Sequence, residues 1–214
     1  MKKMLVIMVL AYFSVILTPP RVDAGWLVYR KPEFKGKVID AASREPIKEA
    51  VVVVMYYSAP ILTGPGGGSP YIIHVKESLT DENGMFLIPS YTTIIQPNSL
   101  EDRAEFIIYK PGYGSFPEFA VKPNPPIYLE EFFTREIEER GEIRVDSIAG
   151  TKVFPVIYGI VELLKLETKE ERFKRAVPSF SIGSITEDNA PLLYQSINEE
   201  LKSLGSKPIG RVKE

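Results

Sequence analysis

The chain has no cysteine, one histidine and one tryptophan among its 214 residues. Without cysteine it can form no disulfide, no thiolate nucleophile and no cysteine-ligated zinc or iron–sulfur centre. The single histidine, His74, leaves too few nitrogen ligands for a tightly held zinc ion. An excess of one charge is lacking too. The formal net charge is −2, no long basic run occurs, and no aromatics alternate with Arg and Lys, so nucleic acid is excluded as a partner. Gly66, Gly67 and Gly68 are the nearest approach to a phosphate loop. No Gly-Lys-Ser/Thr follows them and no helix opens after them, so they are read as a flexible loop, and no cofactor is expected.

What is present is an ordinary globular composition, 44% apolar and 25% charged, with 18 Pro and 15 Gly favouring turns and extended segments over a helical bundle. Residues 1–24 have the layout of a secretory signal peptide: Lys2 and Lys3, an apolar core from Met4 to Leu17, then Val22-Asp23-Ala24 as a small-residue cleavage site. The apolar core is short for a membrane span, and an uncleaved anchor is the rival reading. Cleavage after Ala24 would deliver the protein to the periplasm or the medium.

The stretch around which the remainder is organised runs from Gly36 to Tyr57. Phe34, Gly36 and Val38 alternate with Lys35 and Lys37, predicting a half-buried strand. Val51 to Val54 is an unbroken β-branched run, predicting a strand from Ala50 to Tyr57 buried on both faces. Trp26 to Tyr29 reads as a short edge strand. After the loop Ser58–Pro70, Tyr71 to Leu79 reads as a strand with Ile73, Val75 and Leu79 on one face and His74, Lys76 and Ser78 on the more polar one. Asp81-Glu82-Asn83-Gly84 then forms a tight hairpin turn, with Phe86 and Ile88 on the returning strand. Its acidic residues do not fit a calcium loop, because the Gly comes too early and no closing Glu follows. Ser90 to Arg103 is polar and irregular, Phe106 to Tyr109 is the next strand, and Pro111-Gly112 gives a type II turn. The Pro-rich segment Phe116–Pro126 is taken as the domain edge.

Beyond it the pattern is mixed. Leu129, Phe132, Phe133 and Ile137 have helical spacing, Ile143 to Val145 and Val153 to Leu164 read as extended, and Thr168 to Glu171 fits a capping box. A last helix from about Ala190 to Leu204 carries Leu193, Ile197, Leu201 and Leu204 on one stripe, with Pro191 in its first turn and Gly205 past its end. The expected organisation is thus a signal peptide over 1–24, a β-domain over 25–126 and a partly helical extension over 127–214.

Three segments, in order, carry a resemblance: Gly36-Lys-Val-Ile-Asp40 with Pro46-Ile47 and Ala50-Val51-Val52-Val53; Thr80-Asp81-Glu82-Asn83-Gly84-Met85-Phe86; and Tyr109-Lys110-Pro111-Gly112-Tyr113. Over residues 35–114 the chain resembles the carboxypeptidase regulatory-like domain, which implies a mainly β, transthyretin-like Greek-key β-sandwich of about seven short strands. Arg44 and Glu49 stand where that family usually has Gly. The resemblance implies no activity, since the associated peptidases and related dioxygenases and hydrolases need more histidines than His74 alone.

Three functions follow as expectations. The first is a non-catalytic binding or assembly module for another envelope or secreted protein. The second is a carbohydrate-binding module using Trp26, Tyr56, Tyr57, Tyr71, Tyr91 or Tyr113. The third is a hydrolase using carboxylates such as Asp81, Glu82, Asp102 and Glu105. No catalytic residue is assigned. The expected recognition loop is Ser58–Pro70, with Ile61, Leu62, Gly66, Gly67 and Gly68, and Tyr71 at its end, because a loop of this length exceeds what joins two adjacent strands.

Overall fold

The computed structural model describes residues 28–61, 68–118, 120–122, 129–147, 150–178 and 185–210. The described chain is mainly β. Its strands are β1 (Val28–Lys31), β2 (Phe34–Asp40), β3 (Val51–Pro60), β4 (Tyr71–Leu79), β5 (Met85–Ile88), β6 (Tyr91–Ile94), β7 (Ser99–Tyr109), β8 (Ala120–Lys122), β9 (Arg140–Ser147), β10 (Gly150–Ile157) and β11 (Ile160–Leu163). Helices α1 (Leu129–Thr134), α2 (Lys169–Lys174) and α3 (Pro191–Ser203) complete it. A four-stranded sheet has the order β5-β2-β11-β8 and a three-stranded sheet the order β4-β3-β7, while β1-β6 and β9-β10 are two-stranded ribbons.

The two larger sheets enclose one core, and β3 explains its own sequence. Val52, Val54 and Tyr56 point into a cluster with Phe34, Val38, Phe86, Phe106 and Val161. Val51, Val53 and Met55 point the other way, into a second cluster with Ile107, Tyr109 and the α3 residues Leu193, Ile197 and Leu201. The valine run is therefore buried on one face by a sheet and on the other by a helix. β2 keeps the expected alternation, with Phe34 and Val38 buried and the lysines between them half-exposed.

Several connections differ from the sequence reading. The turn at Asp81–Gly84 forms as expected, with Asp81 Oδ1 accepting from the N–H groups of Asn83 (2.9 Å) and Met85 (2.8 Å). Gly84 has φ 71°, and a Cβ there would lie 2.4 Å from the Val38 carbonyl. The turn does not close a hairpin, however: β4 pairs with β3 and β5 with β2, so the chain passes from one sheet to the other. Ser90–Arg103 is not irregular, since it holds β6 and the first half of β7. On β4 a bulge leaves Ile73 unpaired between Tyr56↔His74 and Tyr57↔Ile72. Ile73 consequently packs with the inter-sheet cluster, and Ile72 joins Val75 beneath α3. Leu79, placed with the buried face by alternation, is exposed.

The boundary expected at residue 126 does not divide the packing. β8, within the supposed domain edge, pairs with β11, and β11 runs parallel to β2 in the middle of its sheet. Phe132 and Phe133 of α1 are fully buried in the inter-sheet core. Ile137 lies past the end of this short helix, and β10 and β11 are separated by a turn in which Gly159 has φ 71°. The capping box at Thr168 is formed in both directions. Helix α3 begins at Pro191 without a side-chain cap from Ala190; Glu77 of β4 supplies it, accepting from the N–H groups of Leu192 (3.0 Å) and Leu193 (2.8 Å). Burial raises the Glu77 carboxyl above its usual range, and those two bonds only partly offset it. The helix ends at Gly205 with the paired Gly205 N–H to Lys202 O and Ser206 N–H to Leu201 O bonds of a Schellman motif.

Both residues standing where the resembled family has glycine are left-handed, Arg44 at φ 65° and Glu49 at φ 55°. Each costs about 1 kcal/mol of backbone strain. The two sites should nevertheless respond oppositely to glycine. Glu49 is exposed and faces Lys110 at 3.7 Å, a contact of little worth. Arg44 pairs with the buried carboxylate of Glu162. We expect Glu49→Gly to raise stability by about 0.5–1 kcal/mol and Arg44→Gly to lower it, because an unpartnered buried carboxylate costs about 1–3 kcal/mol. Urea denaturation of both variants checks this; equal stabilisation by both would show that the Arg44–Glu162 pair contributes nothing.

Candidate recognition surface

β3 ends, and β4 begins, at the same end of the sandwich, since Ser58 pairs with Tyr71 and Pro60 with Ser99. Four residues connect Ser99 to Ile94 of β6, and Ile94 pairs with Val28. The pairing thus gathers five exposed apolar side chains at one end: Val28, Ile61, Tyr71, Ile94 and Leu100. Ile94 is 78% exposed, Ile61 53% and Leu100 51%, far more than side chains that serve the core.

Hydrogen bonds hold the backbone beneath this rim. Ile61 N–H donates to Asn98 O (2.8 Å), Ser99 N–H (3.2 Å) and its hydroxyl (2.7 Å) donate to Gln96 O, and Ser58 Oγ donates to Leu100 O (2.8 Å). Asn98 takes a left-handed conformation, φ 62°, which its residue type tolerates. Of the expected recognition residues, Ile61 projects into solvent instead of folding back, Gly68 is exposed, and Tyr71 is the exposed first residue of β4. Leu62, Gly66 and Gly67 lie outside the described residues, as does Trp26. Ile94, Leu100 and Val28 escaped the sequence reading. The Tyr91-Thr-Thr-Ile94 stretch was readable as a β-prone run, but nothing local showed which of its faces met water.

Beneath the rim lies a polar and aromatic cluster that the sequence did not disclose. Lys31 is 5% exposed, and its ammonium donates to both oxygens of Glu130 (3.0 and 2.9 Å) and lies 3.0 Å from Glu101. Glu130 also accepts from the Ala104 N–H at 2.6 Å, so the group ties β1 to β7 and α1. The buried hydroxyls of Tyr29 and Tyr56 have no hydrogen-bond partner among the described residues. Burial pushes both phenols well above their usual range, so neither serves as a base near neutral pH. His74 stacks on Tyr91 with centroids 4.5 Å apart, and burial followed by the Lys76 charge lowers its pKa. Its ring is a packing partner, and among the described residues it makes no hydrogen bond to a carboxylate or hydroxyl of the kind a triad requires.

The carboxylates considered for hydrolysis are engaged elsewhere. Asp81 organises its turn, Glu82 lies 3.4 Å from Lys48, and Asp102 and Glu105 both pair with Arg103. Among the described residues no three His, Asp or Glu side chains come together as metal ligands. Of the tyrosines considered for sugar stacking, Tyr56 is fully buried and Tyr57, Tyr91 and Tyr113 are partly so, which leaves Tyr71 as the exposed one. Among the described residues no helix is long and apolar enough to cross a membrane. No protein-family model, no curated protein and no solved structure matches the chain.

Proposed function

We propose that this chain is a non-catalytic, exported binding module that seats another envelope or secreted protein on the rim formed by Val28, Ile61, Tyr71, Ile94 and Leu100. The observation that carries the reading is this gathering of exposed apolar side chains on a backbone fixed by strand pairing, an arrangement that suits contact with an apolar partner surface. The fold proposed for it is the transthyretin-like Greek-key sandwich of carboxypeptidase regulatory-like domains, supported by the three motif segments and by the left-handed backbone at Arg44 and Glu49, where that family has glycine. Export rests on residues 1–24, with the mature chain starting at Gly25.

A photo-reactive residue placed at Ile94 in the native cell should give discrete cross-linked products that the same probe at Glu199, on the outer side of α3, does not. Changing Ile61, Ile94 and Leu100 together to Ser should abolish those products and leave the melting temperature within a few degrees, because exposed side chains contribute little to stability. Cross-linking that is equal at both positions, or a large fall in melting temperature, would remove the rim as the binding surface. The intact mass of protein recovered from the envelope reports whether the chain starts at Gly25.

A further inference from the structure

β4 is the outer strand of its sheet and nine residues long. Thr80 N–H donates to Ala50 O at 3.0 Å, and Ala50 N–H donates to the Thr80 hydroxyl, so position 80 faces β3. The alternation of antiparallel pairing then directs the main-chain groups of Ser78 and Lys76 toward β3 and those of Glu77 and Val75 outward. No described residue hydrogen bonds to those outward groups. A groove of about 440 Å³ at this strand is lined by Ile72, Ile73, His74 and Val75 and by Asp188 and Asn189 of the turn before α3. It contains a carboxylate and no lysine or arginine. Lys76, the nearest cation on the strand, is turned away to donate to the carbonyls of Pro89 (2.9 Å) and Ser90 (3.0 Å).

We infer that this edge binds an extended segment of a partner protein, which adds to β4 as a further strand and sets a lysine or arginine against Asp188. An open strand edge supplies main-chain pairing to any extended chain, and the groove supplies selection by charge. The bulge at Ile73 confines the regular edge to the stretch from His74 toward Leu79, so the added strand is short. The inference rests on the binding-module reading above and names the form of the partner.

The probe is a pair of displayed heptapeptide libraries, one with Lys and one with Glu fixed at the centre, panned on the full chain. The Lys library should yield binders rich in β-branched residues at alternate positions, and the Glu library none. Val75→Pro removes one outward N–H without touching the β3 ladder and should weaken selected peptides about tenfold, the worth of one main-chain hydrogen bond. Asp188→Lys, in an exposed turn, leaves the strand intact and should abolish the preference for central Lys even if the proline variant fails to fold. Failure to select any peptide, preference for central Glu, or unchanged binding to a folded Val75→Pro and to Asp188→Lys would overturn the inference. Sedimentation showing a dimer that Val75→Pro dissolves would give the edge to a second copy of the chain and overturn it equally. Rim cross-links at Ile94 that persist when the libraries fail would confine the failure to the β4 edge; loss of both would sink the binding-module reading as well.

Discussion

A chain ending at Pro126 should not fold. Such a truncation keeps every segment that resembles a regulatory-like domain but removes β11 from between β2 and β8, breaking the four-stranded sheet at its centre. It also strips Leu193, Ile197 and Leu201 from the outer face of β3, leaving Val51, Val53, Met55 and Ile107 in water. A fully buried aliphatic side chain returned to solvent loses about 1.5–3 kcal/mol, and four of them match the stability of a typical domain, about 5–15 kcal/mol. We expect the truncated protein to aggregate or to lack a cooperative thermal transition by circular dichroism. Phe133→Ala tests the same dependence in the full chain. The ring sits within 4.6–6.1 Å of those of Phe86, Phe106, Phe116 and Phe132, and its loss should cost about 3–5 kcal/mol. A truncated chain that melts cooperatively would show that residues 25–126 hold their own core.

Arg172→Ala should destabilise the protein by about 3 kcal/mol, the lower part of the range for breaking a buried ion pair. The Glu200 side chain is only 2% exposed and receives Arg172 Nε at 2.8 Å and Nη2 at 2.6 Å, while the same guanidinium reaches Ser203 Oγ at 3.0 Å. Arg172 is itself about one-third exposed, so water can reach part of the gap, which places the cost at the lower end. The pair connects α2 to α3 beside Tyr109, whose hydroxyl donates to the Ala176 carbonyl at 2.8 Å. Removing both charges together, as Arg172→Met with Glu200→Met, should recover most of the loss, because the penalty comes from the carboxylate left alone and not from the missing attraction. Chemical denaturation of the two variants decides this. A double variant as unstable as the single one would mean that the pair fixes the helix packing by geometry.

The sequence by itself determined the features whose causes lie within a few residues of one another. β2 followed from the spacing of Phe34 and Val38, the doubly buried β3 from Val51–Val54, the α2 cap from Thr168 and Glu171, and α3 from its Leu and Ile stripe between Pro191 and Gly205. The turns at Gly84 and Gly112 were legible for the same reason, since a left-handed residue is demanded locally. Two of the five rim residues, Ile61 and Tyr71, were also named from the sequence, by loop length and the apolar pair after Pro60, and both are exposed. Only the tertiary structure decided that β5 leaves β4 for β2, that β11 inserts in parallel beside β2, and that Ile94 and Leu100 join Ile61 at one end. It alone decided that Lys31, in an unremarkable basic pair, would be buried against Glu101 and Glu130. These outcomes share one cause. A strand's pattern states that one face must leave water, yet any apolar surface in the chain can satisfy that demand; the choice among partners is made by the total packing of segments about 40 to 125 residues apart, and by burial that no window of neighbouring residues contains.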